Sequence, residues 1–220
     1  MNFKRPLILA SSSPRRQFLM QQAGFQFNTA TPDIDESFPA AMRADEIPKY
    51  LAEKKARVFE HEITNEIVVT SDTIVILDQE VLNKPLDRND AIAMLSRLSG
   101  RTHVVITAVC LLSKHKMECF DDRTEVTFRK LSLPDIEFYI DRYKPFDKAG
   151  AYGAQDCLPD GFNPCSPEEI EFLKQIGKLD LIDQSIQRGT GVTIIERIDG
   201  AYFTVMGLPL HKVYEFLQKF

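Results

Sequence analysis

The sequence predicts a mixed α/β fold, and three observations support this class. The chain has 220 residues, of which 44% are hydrophobic and 27% charged, and this is the composition of a globular protein. Short apolar runs such as residues 6–10 and 103–112 have the length and composition of buried strands. Amphipathic stretches between such runs begin at capping residues, as helices do. We therefore expect a single domain over residues 1–220 that mixes strands and helices.

The N-terminal elements are predicted from local start and stop signals. Residues 6–10 predict the first strand, and Pro14 suits the first position of a helix. A second strand is expected at residues 25–31, followed by an acidic loop at 32–44. Asp45 is expected to cap a helix. The apolar side of that helix carries Ile47, Leu51, Ala52, Ala56 and Phe59.

The later elements are predicted from the same kinds of signal. Ser132 opens a capping box, and Ser166 starts another helix. Asp199 and Gly200 between two apolar runs predict a β-hairpin. The remaining predicted strands are residues 67–70, 73–77, 81–82, 103–112, 118–129, 192–198 and 201–206. The remaining predicted helices are residues 89–98, 132–143, 167–176 and a last helix carrying Val213, Phe216, Leu217 and Phe220.

Charge and cysteine content narrow the class of protein. Lys and Arg total 27 against 32 Asp and Glu, a net charge of −5, which argues against a protein that coats nucleic acid through many phosphate contacts. No apolar run approaches the ~20 residues of a membrane helix. The four cysteines form no C-x-x-C pair, and Cys110 is expected to be a small buried hydrophobe. We expect a soluble, cytoplasmic protein in a reducing compartment, with no membrane partner and no stable nucleic-acid binding.

The segment of residues 11–16 is a candidate anion site. It follows a predicted strand, is rich in serine and opens a helix, so free backbone N–H groups would face a ligand there. Arg15 and Arg16 add guanidinium groups that match phosphate oxygens. An N-cap followed by two solvated arginines explains this segment equally well.

Asp72 is a candidate general base or metal ligand. It and Ser71 interrupt the apolar runs at residues 67–70 and 73–77, so a rigid element would hold its carboxylate. From the residues alone, a turn aspartate bonded to nearby backbone N–H groups is the simpler interpretation. The sequence contains neither a P-loop motif nor a G-x-S-x-G motif.

Three lysines and an acidic pair complete the candidates. Lys84 precedes a proline and Lys148 precedes Ala149-Gly150, while Lys55 lies late on a predicted helix. Asp35 and Glu36 offer carboxylates, which are ligands that Mg²⁺ prefers. Solvated surface charge is the ordinary explanation for such residues.

Taken together, these segments resemble one family in both content and order. The matching motifs are Ser11-Ser12-Ser13-Pro14-Arg15-Arg16, Ser71-Asp72-Thr73, Asn83-Lys84-Pro85, Leu98-Ser99-Gly100-Arg101-Thr102-His103, Asp147-Lys148-Ala149-Gly150-Ala151-Tyr152-Gly153-Ala154-Gln155 and Gly207-Leu208-Pro209-Leu210. The chain thus resembles the Maf proteins, which are nucleoside triphosphate pyrophosphatases. The resemblance covers nearly the whole chain except about residues 156–190.

The resemblance implies a fold, a reaction and a set of roles. The implied fold is an elongated, twisted mixed sheet flanked by helices, similar to the ITPase fold, with a cleft between two lobes. The implied reaction hydrolyses a nucleotide to its monophosphate and pyrophosphate with a divalent cation, Mg²⁺ or Mn²⁺. Asp72 would accept the proton of the attacking water. Glu36 and Asp72 would hold the metal. The residues implied to bind phosphate are Ser11, Arg16, Lys55, Lys84 and Lys148.

Three further positions imply the dTTP/UTP subfamily. That subfamily carries Arg, Thr and Gln where this chain has Arg15, Thr73 and Gln155, whereas the 7-methyl-GTP subfamily tends to carry Trp, Gln and Glu. A side-chain amide offers a donor and an acceptor, so it can match the N3–H and carbonyl of uracil or thymine.

Two departures from the family pattern affect the region after this motif. Ala154 stands where the family commonly has Ile. Residues 156–190 form a family-atypical insertion with its own helix, whose apolar side carries Ile170, Phe172, Leu173 and Ile176. We expect a surface appendage beside the cleft whose helix packs on the body or at a subunit contact.

Two alternatives to a dTTP/UTP pyrophosphatase remain. One is a non-catalytic regulator of cell division, a role also attached to this family, and the other is a pyrophosphatase for another base such as 7-methyl-GTP. The intact Asp72 and lysine set favours the enzyme. A homodimer is compatible with the sequence, which leaves the oligomeric state open.

Overall fold

The computed structural model describes residues 3–189, 191 and 193–220. Its strands are β1 (Leu7–Ala10), β2 (Phe27–Ala30), β3 (Ile67–Leu77), β4 (Glu80–Leu82), β5 (Thr102–Ser113), β6 (Lys116–Phe128) and β7 (Ile195–Asp199). Its α-helices are α1 (Pro14–Gln22), α2 (Ile47–Arg57), α3 (Arg88–Leu98), α4 (Leu133–Tyr143), α5 (Pro167–Gln175), α6 (Leu181–Gln184), α7 (Tyr202–Val205) and α8 (Leu210–Leu217). Short 3₁₀ turns lie at Ala44–Glu46, Ala149–Ala151 and Ala154–Asp156.

The strands form one mixed sheet, which confirms the predicted α/β class. Within the described residues the sheet has seven strands in the order β2-β1-β3-β5-β6-β7, with β4 also paired to β3. β1 runs parallel to β2 and β3, whereas β3, β5, β6 and β7 are antiparallel to their neighbours. The long pairing of β3, β5 and β6 forms the rigid centre of the sheet.

One edge of β3 is shared by two short strands that leave a gap between them. β1 pairs with residues 67–69, and β4 pairs with residues 75–77. The opposite edge of β3 pairs with β5 from Val68 to Ile76. Within the described part of the chain, residues 70–74 therefore pair with a strand on one edge only, and their other edge faces the gap between β1 and β4.

Helices cover both faces of the sheet because successive residues of β3 point to opposite sides. Val69 belongs to the main core, to which α1, α3, α4 and α8 contribute Leu19, Leu95, Tyr139 and Val213. Val68 belongs to a second cluster with Ala52 and Ala56 of α2. α2 thus packs on one face of the sheet, and α1, α3, α4 and α8 pack on the opposite face.

The predicted break at Ser71 and Asp72 is wrong, because β3 is continuous through both residues. Ser71 pairs with Val109 and Asp72 with Ala108 in the ladder to β5. The pairing partner, which is distant in sequence, holds the extended backbone where the polar residues predict a turn. Asp72 is therefore fixed in the middle of a strand.

The predicted hairpin around Asp199 and Gly200 is also wrong. β7 precedes this pair, but the second apolar run forms the short helix α7 and not a strand. The carboxylate of Glu169 accepts hydrogen bonds from the N–H groups of Tyr202 and Phe203 and so caps this helix. Val192, where the first strand was expected to begin, lies outside the described residues.

Cys110 is not a free thiol as the sequence suggested. It lies opposite Cys119 in the β5–β6 ladder, and a disulfide joins the two. The side chain of Cys110 is fully buried, as expected for its apolar run. Cys157 and Cys165 are free.

Residues 156–189 pack more closely on the body than a surface appendage would. Cys157, Leu173 and Leu181 are at most 1% exposed and belong to the main core. Phe172 of α5 contacts the ring of Tyr214 on α8. The helix docks on the body as expected, but Phe172 and Leu173 of this helix belong to the main core, so the segment is not a surface appendage. Thr190 lies outside the described residues.

The local helix signals were mostly correct. Ser132 and Ser166 each form the two reciprocal hydrogen bonds of a capping box. Asp45 does not cap α2, since it lies in a 3₁₀ turn and pairs with Arg43. In the described part of the chain, no helix is both long and apolar enough to cross a bilayer.

Candidate active site

A cavity of about 500 Å³ opens at the gap between β1 and β4. The loop after β1, the N-terminus of α1, the centre of β3 and the turns before α5 line it. Asp35, the other member of the acidic pair, does not line the cavity. The ten residues to which the resemblance assigns a role all line it: Ser11, Arg15, Arg16, Glu36, Lys55, Asp72, Thr73, Lys84, Lys148 and Gln155. The structure thus brings together residues that lie up to 144 positions apart in the chain.

Asp72 and Lys55 form a buried ion pair between the sheet and α2. Asp72 Oδ1 lies 2.7 Å from Lys55 Nζ, and each residue is 8% exposed. The same ammonium group lies 2.8 Å from Oε1 of Glu36, which is half-exposed in the loop before α2. Thr70 Oγ1 donates to the Ala52 carbonyl and ties this part of β3 to α2. One lysine therefore joins the two carboxylates that the sequence suggested as metal ligands.

The two carboxylates differ in their protonation tendencies. Burial raises the pKa of Asp72 above its usual range, although the charges of Lys55 and Arg16 oppose this shift. Partial burial also favours a raised pKa at Glu36, but the hydrogen bond and charge of Lys55 outweigh it and hold that pKa below its usual range. Asp72 is thus the stronger base of the pair, as a proton acceptor requires.

Arg16 is a partly buried cross-link between the loop after β1, β3 and the segment before α8. Its Nε donates to the Gly207 carbonyl at 2.8 Å, and its Nη1 donates to the Ser71 carbonyl at 2.9 Å. Further bonds reach Ser11 Oγ and Thr73 Oγ1. Burial lowers the pKa of Arg16 to about 10, which leaves it charged at neutral pH. Four of the five N–H donors of a guanidinium are thus engaged by the protein.

A second group of charges lies at the other side of the cavity. Lys148 Nζ lies 2.6 Å from Asp147 Oδ1, and Arg15 Nη1 lies 3.5 Å from Asp147 Oδ2. Asp147 is half-exposed, so it holds both cations at the rim. Lys84 lines the cavity from an exposed position before α3. Lys84 is exposed, whereas Arg15 and Lys148 are partly buried, and all three line the cavity where an anionic ligand would bind.

Thr73 and Gln155 differ in how they are held. Thr73 Oγ1 accepts from Arg16 and lies 2.9 Å from Thr107 Oγ1, which donates to the Thr204 carbonyl. Gln155 Nε2 donates to Asp156, whereas its Oε1 is buried with no partner among the described residues. A buried acceptor without a partner, in a residue that lines a cavity, suits a ligand that donates a hydrogen bond.

The donor set fits a hard divalent cation such as Mg²⁺. Glu36 and Asp72 present carboxylate oxygens to one point, which Lys55 Nζ now contacts. Among the described residues there is no group of three or more His, Cys, Asp or Glu side chains able to hold a metal. Mg²⁺ is commonly held by one or two carboxylates together with substrate phosphates, so two carboxylates are sufficient.

Sequence reasoning missed four contributors to this site. Thr107 and the carbonyl of Gly207 hold Thr73 and Arg16. Thr107 has no signal in the local sequence, whereas Gly207 begins one of the family motifs without a role assigned to it. Asp147 and Asp156 are the charged neighbours of Lys148 and Gln155. Their position directly beside predicted site residues was the signal that could have identified them.

Comparison with known proteins agrees with the resemblance. The family model for "Maf-like protein" matches residues 6–160 and 161–220. A dTTP/UTP pyrophosphatase of Flavobacterium psychrophilum is 42% identical over 96% of this chain and 92% of its own length. Proteins with the same name from Phocaeicola vulgatus and Bacteroides fragilis are 40% and 38% identical and cover 98% and 97% of this chain. The matches cover 96% and 95% of those two proteins.

Solved structures show a weaker likeness. A HAM1 protein from Coxiella burnetii is 14% identical with a TM-score of 0.44, over 82% of this chain and 95% of its own. A TM-score below 0.5 does not establish a shared fold. The family model, in contrast, matches almost all of this sequence, and relatives of at least 38% identity extend over nearly their full length. The chain therefore belongs to the Maf family.

Proposed function

We propose that this protein is a nucleoside triphosphate pyrophosphatase that hydrolyses dTTP and UTP to the monophosphate and pyrophosphate. The observation that carries the proposal is a single cavity in which cations surround a buried carboxylate, Asp72. Among the described residues that line it, the cations are Arg15, Arg16, Lys55, Lys84 and Lys148, and the carboxylates are Glu36, Asp72 and Asp147. This local excess of positive charge in a chain of net charge −5 suits a triphosphate. The names of the relatives support the same substrates.

Asp72 has the placement and basicity of a proton acceptor. In the proposed reaction a water oxygen bonds to the α-phosphorus, and the bond from that phosphorus to the oxygen bridging to the β-phosphorus breaks. Asp72 takes the proton of the water, and pyrophosphate leaves with the electron pair of the broken bond. The continuous strand β3 fixes the carboxylate, and burial raises its pKa above the usual range, which makes it a stronger base.

The phosphate contacts divide between three cations that line the cavity and one guanidinium that the protein already holds. Lys84, Lys148 and Arg15 line the cavity, where their charges can contact phosphate oxygens. Free N–H groups at the start of α1 favour an anion beside Ser11. Arg16 has one N–H left for substrate, so its main role is to hold the loop after β1, strand β3 and the segment before α8 together. Positioning and neutralisation of this kind are what phosphoryl transfer requires.

Glu36 and Asp72 are the residues that would hold a divalent cation, Mg²⁺ or Mn²⁺. When bound, the metal would polarise the phosphates and offset their negative charge. Lys55 contacts both carboxylates and keeps them close together. It can also neutralise phosphate oxygens, as the resemblance implies.

The base contacts proposed for dTTP and UTP are Arg15, Thr73 and Gln155. Gln155 supplies the unpartnered acceptor Oε1, which suits the N3–H donor of uracil or thymine. A 7-methylated guanine is cationic and would favour a carboxylate at this position. The amide therefore favours the pyrimidine over this alternative.

The test is hydrolysis of a nucleotide panel by the full chain with Mg²⁺ or Mn²⁺. The panel holds dTTP, UTP, dCTP, dATP, dGTP and 7-methyl-GTP, and the readout is monophosphate and pyrophosphate. dTTP and UTP are expected to be the best substrates, and Asp72→Asn is expected to lower turnover by ~10²–10⁴. Asp183→Asn, at a side chain that is 82% exposed, is the matched control and should behave as wild type. Turnover of Asp72→Asn near the wild-type rate would refute the assignment of the base.

The proposal also includes a homodimer and a cytoplasmic location, although a reducing cytoplasm disfavours the disulfide between Cys110 and Cys119. Leu86, Leu133 and Phe138 are large apolar side chains with more than half of their surface exposed, and they are the candidate contacts with a second copy. Sedimentation of the purified chain tests the dimer, and cell fractionation tests the location.

A further inference from the structure

Asp156 is a buried carboxylate directly beside the side chain of Gln155. It is 3% exposed, and its Oδ2 accepts from Gln155 Nε2 at 3.4 Å. Gly153 makes room for this pair, since a Cβ added there would lie 2.7 Å from Asp156 Oδ2 and 2.8 Å from Gln155 Nε2. The φ of Gly153 is −117°, which any residue can adopt. Close approach, and not backbone conformation, therefore favours glycine here.

A carboxylate only accepts hydrogen bonds, so it decides which end of the amide turns towards it. The NH₂ group of Gln155 faces Asp156, and Oε1 remains as a buried acceptor without a partner among the described residues. A flipped amide would bring Oε1 against the oxygens of Asp156, and two acceptors repel. Gln155, which lines the cavity, thus keeps one unpaired acceptor and one remaining N–H donor for a ligand.

We infer that Asp156 is a positioning residue that sets the base preference of the site by fixing the amide orientation of Gln155. This inference rests on the proposed function. The N3–H of uracil or thymine donates to the fixed Oε1, and the adjacent carbonyl accepts from the remaining N–H. Cytosine presents an acceptor at N3 and a donor at position 4, so both of its groups meet the wrong partner. A site built for one hydrogen-bond pattern rejects a base that leaves its buried polar groups unpaired.

The protonation state of Asp156 gives an independent readout. Burial raises its pKa to about 6, with Lys148 and Arg15 opposing the shift and Asp147 adding to it. Three further groups interact with Asp156, namely Tyr139, Cys157 and Tyr202. Burial raises the pKa of each, so all three stay neutral between pH 5 and pH 8. A protonated Asp156 donates as well as accepts, so either end of the Gln155 amide can face it. Base discrimination is therefore expected to weaken as the pH falls below about 6.

The test compares kcat/KM for dTTP and for dCTP in the full-length chain. The variants are Asp156→Asn, whose amide can pair with either end of Gln155, and Gly153→Ala, whose Cβ forces the pair apart. Asp183→Asn is the control. We expect the dTTP-to-dCTP ratio to fall roughly tenfold in both variants and to stay unchanged in the control. A general loss of structure would lower both substrates alike and leave the ratio intact.

The outcomes separate this inference from the proposed function. A wild-type enzyme that prefers dTTP, with the same ratio in both variants and at pH 5 and 8, would overturn the role of Asp156 alone. A wild-type enzyme that hydrolyses neither dTTP nor UTP would overturn both. If Asp156→Asn fails to fold, Gly153→Ala and the wild-type pH series still decide the question.

Discussion

The carboxylate of Glu169 tests whether residues 156–189 support the candidate active site. It is fully buried in α5 and accepts from the N–H groups of Tyr202, Phe203 and Ser166 at 2.7–2.9 Å. The first two of these begin α7, and α7 leads into the Gly207 carbonyl that holds Arg16 and Ser71. Glu169→Gln keeps the shape but replaces one accepting oxygen with an NH₂ group.

The size of the effect follows from the bonds that the variant can still make. Oε2 accepts from Tyr202 and Ser166, and Oε1 accepts from Phe203. A glutamine in the same place keeps at most one of these oxygens, so at least one buried N–H loses its acceptor. An orphaned buried donor costs about 1–3 kcal/mol, which is the loss of unfolding free energy expected from the hydrogen bonds. A neutral glutamine also avoids the ionisation of a carboxyl group whose pKa burial raises to about 7, and above pH 7 this offsets part of that loss. We also expect kcat/KM for dTTP to fall roughly tenfold as the Gly207 segment shifts.

The assay is urea unfolding followed by circular dichroism, together with dTTP hydrolysis. Burial raises the pKa of Glu169 to about 7 despite its three N–H donors, so measurements at pH 8 keep the wild-type carboxylate mostly ionised. Glu171→Gln is the matched control, because it makes the same change on the same helix at a side chain that is 78% exposed. Equal stability and equal activity of the two variants would refute the reasoning.

Two further predictions concern stability. Burial lowers the pKa of His103 to about 3, so its folded state stays neutral while the unfolded state takes up a proton below about 6.5. The free energy of unfolding therefore falls as the pH drops below 6.5, and the loss due to His103 reaches about 2 kcal/mol at pH 5. In urea unfolding, His103→Leu should remove this contribution to the pH dependence. Reduction of Cys110–Cys119, nine positions apart, should lower the unfolding free energy by about 2–3 kcal/mol on the loop-entropy model. Thiol titration should find two thiols before reduction and four after, and four thiols before reduction would contradict the pairing.

The sequence alone determined the elements whose signals are local. The capping boxes at Ser132 and Ser166 join residues three positions apart, so a short stretch contains all that is needed to start each helix. Most of the candidate site was also indicated by the sequence, because all of its predicted residues except Glu36 and Lys55 lie in short motifs that resemble those of the Maf family. The structure brings each of them to one cavity.

Only the tertiary structure decided what depends on distant partners. β3 continues through Asp72 because β5 pairs with it, and residues 202–205 are helical where Glu169, more than thirty positions earlier, accepts from their N–H groups. Arg16 holds its frame through Ser71 and Gly207, which are 55 and 191 positions away. Such contacts form only after the chain has folded, and their hydrogen bonds outweigh the helix and strand propensities of the local sequence. The sequence therefore indicated which residues are candidates for the site, and long-range pairing decided their orientation and protonation.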